Sequence, residues 1–190
     1  MSTPESIAQK LRSVRPLRRV EYDRLVELGA FQHEKLELLE GTLVAMSPQG
    51  VPHAAIIQRL AKRLILALGD RADVRVQMPI VASDTSEPEP DIAVVPPINL
   101  KEHPRQAHLL VEVADSSLEF DLGTKAQIYA KSGFPELWVF DLQHRKSFVH
   151  RAPDVVIGRY GQITEHDFAV ALSIEAFPEV SVVPAQLLAE

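Results

Sequence analysis

Leu109-Leu110-Val111-Glu112-Val113-Ala114 decides the fold and poses the first chemical question. The run is apolar but for one residue, as expected of a short strand buried on both faces. Its period of two puts Glu112 on the same face as Leu110 and Ala114. An isolated ionised carboxylate there is heavily penalised even after relaxation, so Glu112 must be paired, protonated or bound to a cation. A second run of the same kind, Ile92-Ala93-Val94-Val95, follows Pro90-Asp91 directly. Asp91 therefore stands where a buried strand begins, either as a turn residue or at the mouth of a cleft.

Working outward, Asp121 to Ser132 reads as a helix stopped by Gly133 and Pro135, and Leu137 to Phe140 as a further buried strand. Upstream, Ile57, Leu60, Ala61, Leu64 and Leu68 recur at helical spacing and Gly69 ends the pattern. Leu36, Leu38, Leu43 and Ala45 flank Glu40-Gly41, a hairpin turn, and Val20 to Leu28 forms a short helix before it. Asp73 to Ala82 reads as a strand with Pro79 near its edge, and Ser83 to Pro90 as a stiff connector. From Lys146 the tail alternates around Gly158 and Gly161 as hairpins do, then ends in a short helix near Pro184. The order of elements indicates an α/β (α+β) domain, a mixed sheet flanked by helices.

At 190 residues, one compact core is the default, with residues 1–19 a basic N-terminal extension and 20–190 a single domain. That extension is either a solvated helix or an arm touching a nucleic-acid backbone. Zero cysteines exclude disulfides, thiolate metal sites and cysteine nucleophiles. No run is long and apolar enough for a membrane span, and the start lacks a secretory h-region, so the cytoplasm is the expected location. A net charge of −6 excludes a uniformly basic nucleic-acid binder. Any such role rests on local sites or bound cations.

Lys125 is the third informative residue. On the helical wheel Leu122, Ala126, Tyr129 and Gly133 mark the inward stripe, with Lys125 about 60° from its centre and Lys131 pointing away. Either Lys125 snorkels to water or it hangs over the end of the Glu112 strand. Two carboxylates and a lysine form a sensible phosphodiesterase site, since hard oxygen donors suit Mg²⁺ and an ammonium orients water or offsets transition-state charge. Paired carboxylates also suit glycoside hydrolysis, but aromatics at 6% leave few platforms for sugars.

Pro90-Asp91, Glu112-Val113-Ala114 and Lys125 resemble the PD-(D/E)XK nuclease signature in the form carried by the Uma2 (DUF820) family of restriction-endonuclease-like proteins. Leu38-Leu39-Glu40-Gly41-Thr42-Leu43-Val44, Glu87-Pro88-Glu89-Pro90-Asp91 and Tyr129-Ala130-Lys131-Ser132-Gly133-Phe134-Pro135-Glu136-Leu137-Trp138 extend the likeness over about residues 20–185. One departure is that the simple signature places its lysine where Ala114 stands; in the resembling family it has moved to the next helix, here Lys125. The resemblance implies a restriction-endonuclease-like fold and Mg²⁺-dependent hydrolysis of nucleic acid, DNA first, with Mn²⁺ as a substitute. It implies Asp91, Glu112 and the Val113 carbonyl as metal ligands and Lys125 as assistant to the attacking water. Such folds often add an N-terminal acid, for which Glu37 and Glu40 are candidates. Glu37 is favoured because it lies among leucines, although a hairpin residue can equally be solvated. His53, at the start of the long helix, either caps it or gives a donor to phosphate. Cutting two strands with one site per chain favours a homodimer. The competing reading is a catalytically silent binding or regulatory protein that retains the fold.

Overall fold

The structure, a computed structural model, describes residues 15–46, 48–97 and 101–188. Most of the proposed basic extension lies outside the described residues. The first described helix, α1, is Arg19–Glu27. It leads into an antiparallel hairpin of β1 (Leu36–Leu39) and β2 (Thr42–Ala45) that turns at Glu40 and Gly41, both with positive φ. The long helix α2 (Val51–Leu68) buries Ile56, Ile57, Leu60, Ala61, Leu64 and Leu68, the periodic stripe of the sequence.

Six strands make the central sheet, in the order β3 (Asp73–Val76), β4 (Ile92–Val95), β5 (Leu109–Ala114), β6 (Glu136–Asp141), β7 (Lys146–Asp154) and β8 (Arg159–Asp167). Every neighbouring pair is antiparallel except β5 and β6, which run parallel. A parallel pair needs a crossover, here a helix in three consecutive pieces: α3 (Leu118–Phe120), a π-helical turn (Asp121–Lys125) and α4 (Ala126–Lys131). A second hairpin, β9 (Leu172–Ile174) and β10 (Phe177–Val182), and helix α5 (Pro184–Leu188) complete the fold.

The alternation of each strand divides the core. Ile92, Val94, Val111, Val113, Trp138 and Phe140 pack against α2 and the C-terminal hairpin. Ala93, Val95, Leu110, Ala114, Leu137 and Val139 pack against α4 through Tyr129, Ala130 and Phe134. Glu112 therefore faces the crossover helix, as its place between Leu110 and Ala114 requires.

The edge strand β3 stops sooner than its sequence suggests. Gln77 takes a left-handed backbone (φ 50°), after which Ile80 and Val81 donate to the Pro88 and Pro104 carbonyls. Pro79 cannot donate, so the segment closes on loops instead of extending the ladder.

Two buried groups contrast with the site described below. Glu136 is wholly buried and fully satisfied by Trp138 Nε1, Arg151 and the Glu175 backbone N–H, which marks it as structural. His150 is buried edge-on to Tyr160, with neither ring nitrogen hydrogen-bonded. Burial pulls its pKa down to about 4. The unfolded chain takes up this proton near pH 6.5, so the stability present above that value is lost as pH falls toward 4. Wild type is expected to lose about 2 kcal/mol more than His150→Phe between pH 7 and pH 5, read from urea midpoints at the two pH values. Parallel pH profiles would rule out His150 as the source.

Candidate active site

The antiparallel register pairs Ile92 with Val111. Extended by one residue, it sets Asp91, just before β4, across from Glu112 within β5. Both side chains line a cavity of about 360 Å³, together with Glu37, His53, Asp121 and Lys125.

Asp91 is held from three directions. The Val113 backbone N–H donates to Oδ2 at 2.8 Å, Gln77 Nε2 donates to Oδ1 at 3.1 Å, and His53 Nε2 lies 3.2 Å from Oδ2. Burial alone would raise the Asp91 pKa, but His53, the Val113 N–H and Gln77 outweigh it and hold the carboxyl below its ordinary range. The acid is therefore a fixed anion. His53 answers in kind: burial opposes its charge, but Asp91 and the Val113 backbone raise it above an ordinary histidine.

Glu112 is treated differently. Its Oε1 accepts from the Tyr129 hydroxyl at 2.5 Å and from Lys125 Nζ at 3.1 Å. Burial pushes this carboxyl well above the usual value; Lys125 opposes the rise, while Asp121 and Asp91 add to it. Lys125 Nζ also lies 3.4 Å from Glu37 Oε2, an oxygen that accepts the Glu89 backbone N–H at 3.1 Å. Burial would strip the proton from Lys125, but Glu112, Glu37, Asp121 and Asp91 together hold the amine above its ordinary basicity. The lysine stays an ammonium, and Glu112 is the acid whose charged form burial disfavours most plainly.

The structure thus gathers Glu37, His53, Asp91, Glu112 and Lys125 around one cavity. Lys125 does not snorkel, being 5% exposed. Glu40 is elsewhere, exposed in the hairpin turn and paired with Lys131 at 2.9 Å. Three further residues join the site that sequence reasoning does not single out. Asp121 is buried in the π-helical turn, accepts from Ser117 Oγ at 2.6 Å, and is pushed up in pKa mainly by burial. The sequence marks Tyr129 only as part of the packing stripe, and Gln77 as mid-strand. Asp121, Lys125 and Tyr129 recur at four-residue intervals, a polar row along one helix that the sequence displays. Gln77 carries no such signal, because its role depends on the left-handed turn that ends β3.

Among the described residues six acids, Glu37, Glu89, Asp91, Glu112, Asp115 and Asp121, line the cavity with one ammonium and one imidazole, an excess of acidic groups that suits a cation. The oxygens of Asp91 and Glu112 are hard donors fitting Mg²⁺. Among the described residues no three His, Cys, Asp or Glu side chains are grouped to hold a metal ion by themselves. The chain would contribute a carboxylate pair and leave the other positions to water and phosphate, the usual way Mg²⁺ is bound.

The sequence model of the Uma2 family, described as "Putative restriction endonuclease", matches residues 19–187. The chain belongs to the Uma2 family. A search of curated proteins finds no match. Among solved structures, the chain is similar to a crystal structure described as a putative nuclease belonging to DUF820 from Anabaena variabilis ATCC 29413. The two are 18% identical, with a TM-score of 0.71 over 91% of this chain and 98% of the other. At that identity the likeness shows the fold, a mixed central sheet flanked by helices. The Uma2 match spans the cavity-lining acids, Lys125 and the crossover helix.

Proposed function

We propose that the protein is a Mg²⁺-dependent endonuclease that hydrolyses phosphodiester bonds of nucleic acid, DNA in the first place. The observation that carries this reading is the buried ammonium of Lys125 set against Glu112 and Glu37 beside the fixed anion Asp91. A group needed only for packing has no reason to retain so much unmatched charge in the interior.

Asp91, Glu112 and the Val113 backbone carbonyl are the groups assigned to hold the metal. When bound, the divalent ion neutralises phosphate charge and lowers the pKa of a coordinated water. Lys125 orients that attacking water and offsets charge on the phosphoryl group as it builds. Glu112, Glu37, Asp121 and Asp91 together keep the lysine protonated. Tyr129 donates to the Glu112 oxygen that Lys125 also uses, fixing the carboxylate's direction. His53, at the N-terminal turn of α2, is placed to give a proton toward the leaving oxygen. Glu40 has no part in the site. Cleavage of both strands of a duplex calls for two sites, so the working unit is assigned as a homodimer.

One observation favours the silent, binding-only alternative. Lys125 already occupies the Glu112 oxygen, and among the described residues no ready-made metal group exists. The two readings part on metal linkage. Mg²⁺ or Mn²⁺ is expected to raise Tm by the equivalent of about 2.7 kcal/mol at a free concentration of 100 Kd. Cleavage of plasmid, single-stranded DNA or RNA should appear with either metal and vanish with EDTA. Absence of both effects would leave the binding protein as the answer.

A further inference from the structure

A second cleft, of about 650 Å³, opens beside the first, between α1, the end of β3 and the loop at 101–105. Glu89 lines both cavities, so the connector Glu87–Asp91 is the wall between them. From Glu87 to Asp91 that connector spans at most about 14 Å.

The charges of the second cleft do not cancel as a count would imply. Four of its five acids stand in ion pairs, Asp23 with Arg19 at 2.6 Å, Glu87 with Arg19 at 3.7 Å, Glu27 with Arg24 at 2.9 Å and Glu89 with Lys35 at 3.2 Å, while Glu102 is the fifth and one oxygen each of Glu87 and Glu89 is buried without a hydrogen bond. Arg75 and Arg105, by contrast, make no ion pair among the described residues. Arg75 Nη2 reaches the Pro79 carbonyl at 3.3 Å and His103 Nδ1 at 3.5 Å, and Asp73 on its own strand attracts its charge. Its Nε is buried with no acceptor, as is Arg19 Nε on the facing helix. Buried guanidinium donors left without acceptors are costly. They are also the group that recognises phosphate best, through a planar fork of N–H donors. Burial and the neighbouring Arg75 both hold His103 below its usual pKa, so its ring stays neutral beside the arginine.

We propose that Arg75, Arg105 and His103 bind a phosphate of the same nucleic-acid strand whose scissile phosphate sits in the acidic cavity. This rests on the nuclease reading above and adds to it where the strand runs. The reach of the connector places the second phosphate within about four nucleotides of the scissile one, at 3.4 Å of rise each. An acidic protein then gains affinity from two local guanidinium groups, while the acidic cavity is left to the metal and the reaction.

The test compares wild type with Arg75→Gln/Arg105→Gln, and with Arg159→Gln on β8, exposed at the opposite edge of the sheet. Two substrates are used with Mg²⁺: a DNA strand of about 20 nucleotides, and the p-nitrophenyl ester of a thymidine monophosphate, which carries only the scissile phosphate. The double variant is expected to raise KM on the strand about 10-fold with kcat unchanged, and to reduce the slope of log(1/KM) against log salt by about 0.7 to 0.9, the loss of one phosphate contact. KM on the ester should not move, and Arg159→Gln should match wild type on both. Equal KM values for the double variant and wild type on the strand overturn the cleft while leaving the nuclease reading intact. A rise of equal size on strand and ester shows a structural defect and overturns it too. Inorganic phosphate that raises the wild-type Tm in an Arg75-dependent way, without any KM effect on the strand, assigns the cleft to a free ligand and overturns the strand path. Failure of wild type to cleave either substrate removes the nuclease reading, and the strand path with it.

Discussion

Lys125→Met is expected to lower metal-dependent cleavage about 10²-fold or more and to destabilise the protein by about 3–5 kcal/mol at neutral pH. Methionine keeps the buried stem but removes the ammonium that faces Glu112 at 3.1 Å and Glu37 at 3.4 Å. What remains is a set of buried carboxylates facing one another, the costliest outcome of breaking an internal ion pair. A divalent cation replaces the lost charge, so Mg²⁺ should raise the Tm of the variant at least as much as that of wild type. Should the variant fail to fold without metal, Lys125→Met/Glu112→Gln keeps the question open to measurement. Removing both charges recovers much of the lost stability, and the double-mutant cycle gives the coupling of the pair. Lys131→Met is the control, because Lys131 pairs with Glu40 on the surface at 2.9 Å, a contact worth under about 1 kcal/mol. Near-wild-type rates for both variants would reduce Lys125 to a packing residue.

The parts of the site that are legible in sequence share one property: each is a polar residue where a local period demands an apolar one. Glu112 breaks an apolar run, so strand geometry alone places it inside, whereas Lys125 falls beside an inward stripe and only the short connector to the Glu112 strand favours the buried position it takes. Glu37 is separable from Glu40 because leucines surround the first and a turn holds the second. Asp121 is half visible, through its spacing from Lys125 and Tyr129. The π-helical turn carrying both Asp121 and Lys125 is not, since one extra residue per turn leaves no mark in hydrophobic periodicity. Such turns recur at functional sites, and this one turns two ionisable side chains inward on a short segment. Gln77 is illegible for a related reason. Its left-handed φ of 50° costs about 1 kcal/mol or more and is imposed by the loops around it, not by the residue type. The length of β3 is hidden by the same cause, because a run of apolar residues through Pro79 says nothing of where the ladder hydrogen bonds stop.

The two carboxylates proposed as metal ligands should answer differently to the loss of charge. Asp91→Asn and Glu112→Gln are both expected to abolish cleavage and to erase the Tm shift given by Mg²⁺, because each removes one of two hard anionic donors. Without metal they separate. Asp91 is held as an anion by the Val113 N–H at 2.8 Å, Gln77 at 3.1 Å and His53 at 3.2 Å, and its pKa lies below the ordinary value. A carboxylate of depressed pKa stabilises the fold above its unfolded pKa and loses that contribution as pH falls through the folded one. At neutral pH the amide introduced by Asp91→Asn would forfeit a charge-assisted bond and set its own N–H₂ against donors, so this variant should cost about 1.5–3 kcal/mol. Glu112 is the reverse case, pushed up by burial, so its contribution falls as pH rises through that raised value. Glutamine imitates the neutral form and still accepts from the Tyr129 hydroxyl, leaving Glu37 to hold Lys125. Metal-free Glu112→Gln should therefore melt at a higher temperature than Asp91→Asn. A mutual repulsion shared evenly between the two acids predicts equal gains in Tm for both variants, and that result would show that the three contacts on Asp91 do not hold it as an anion.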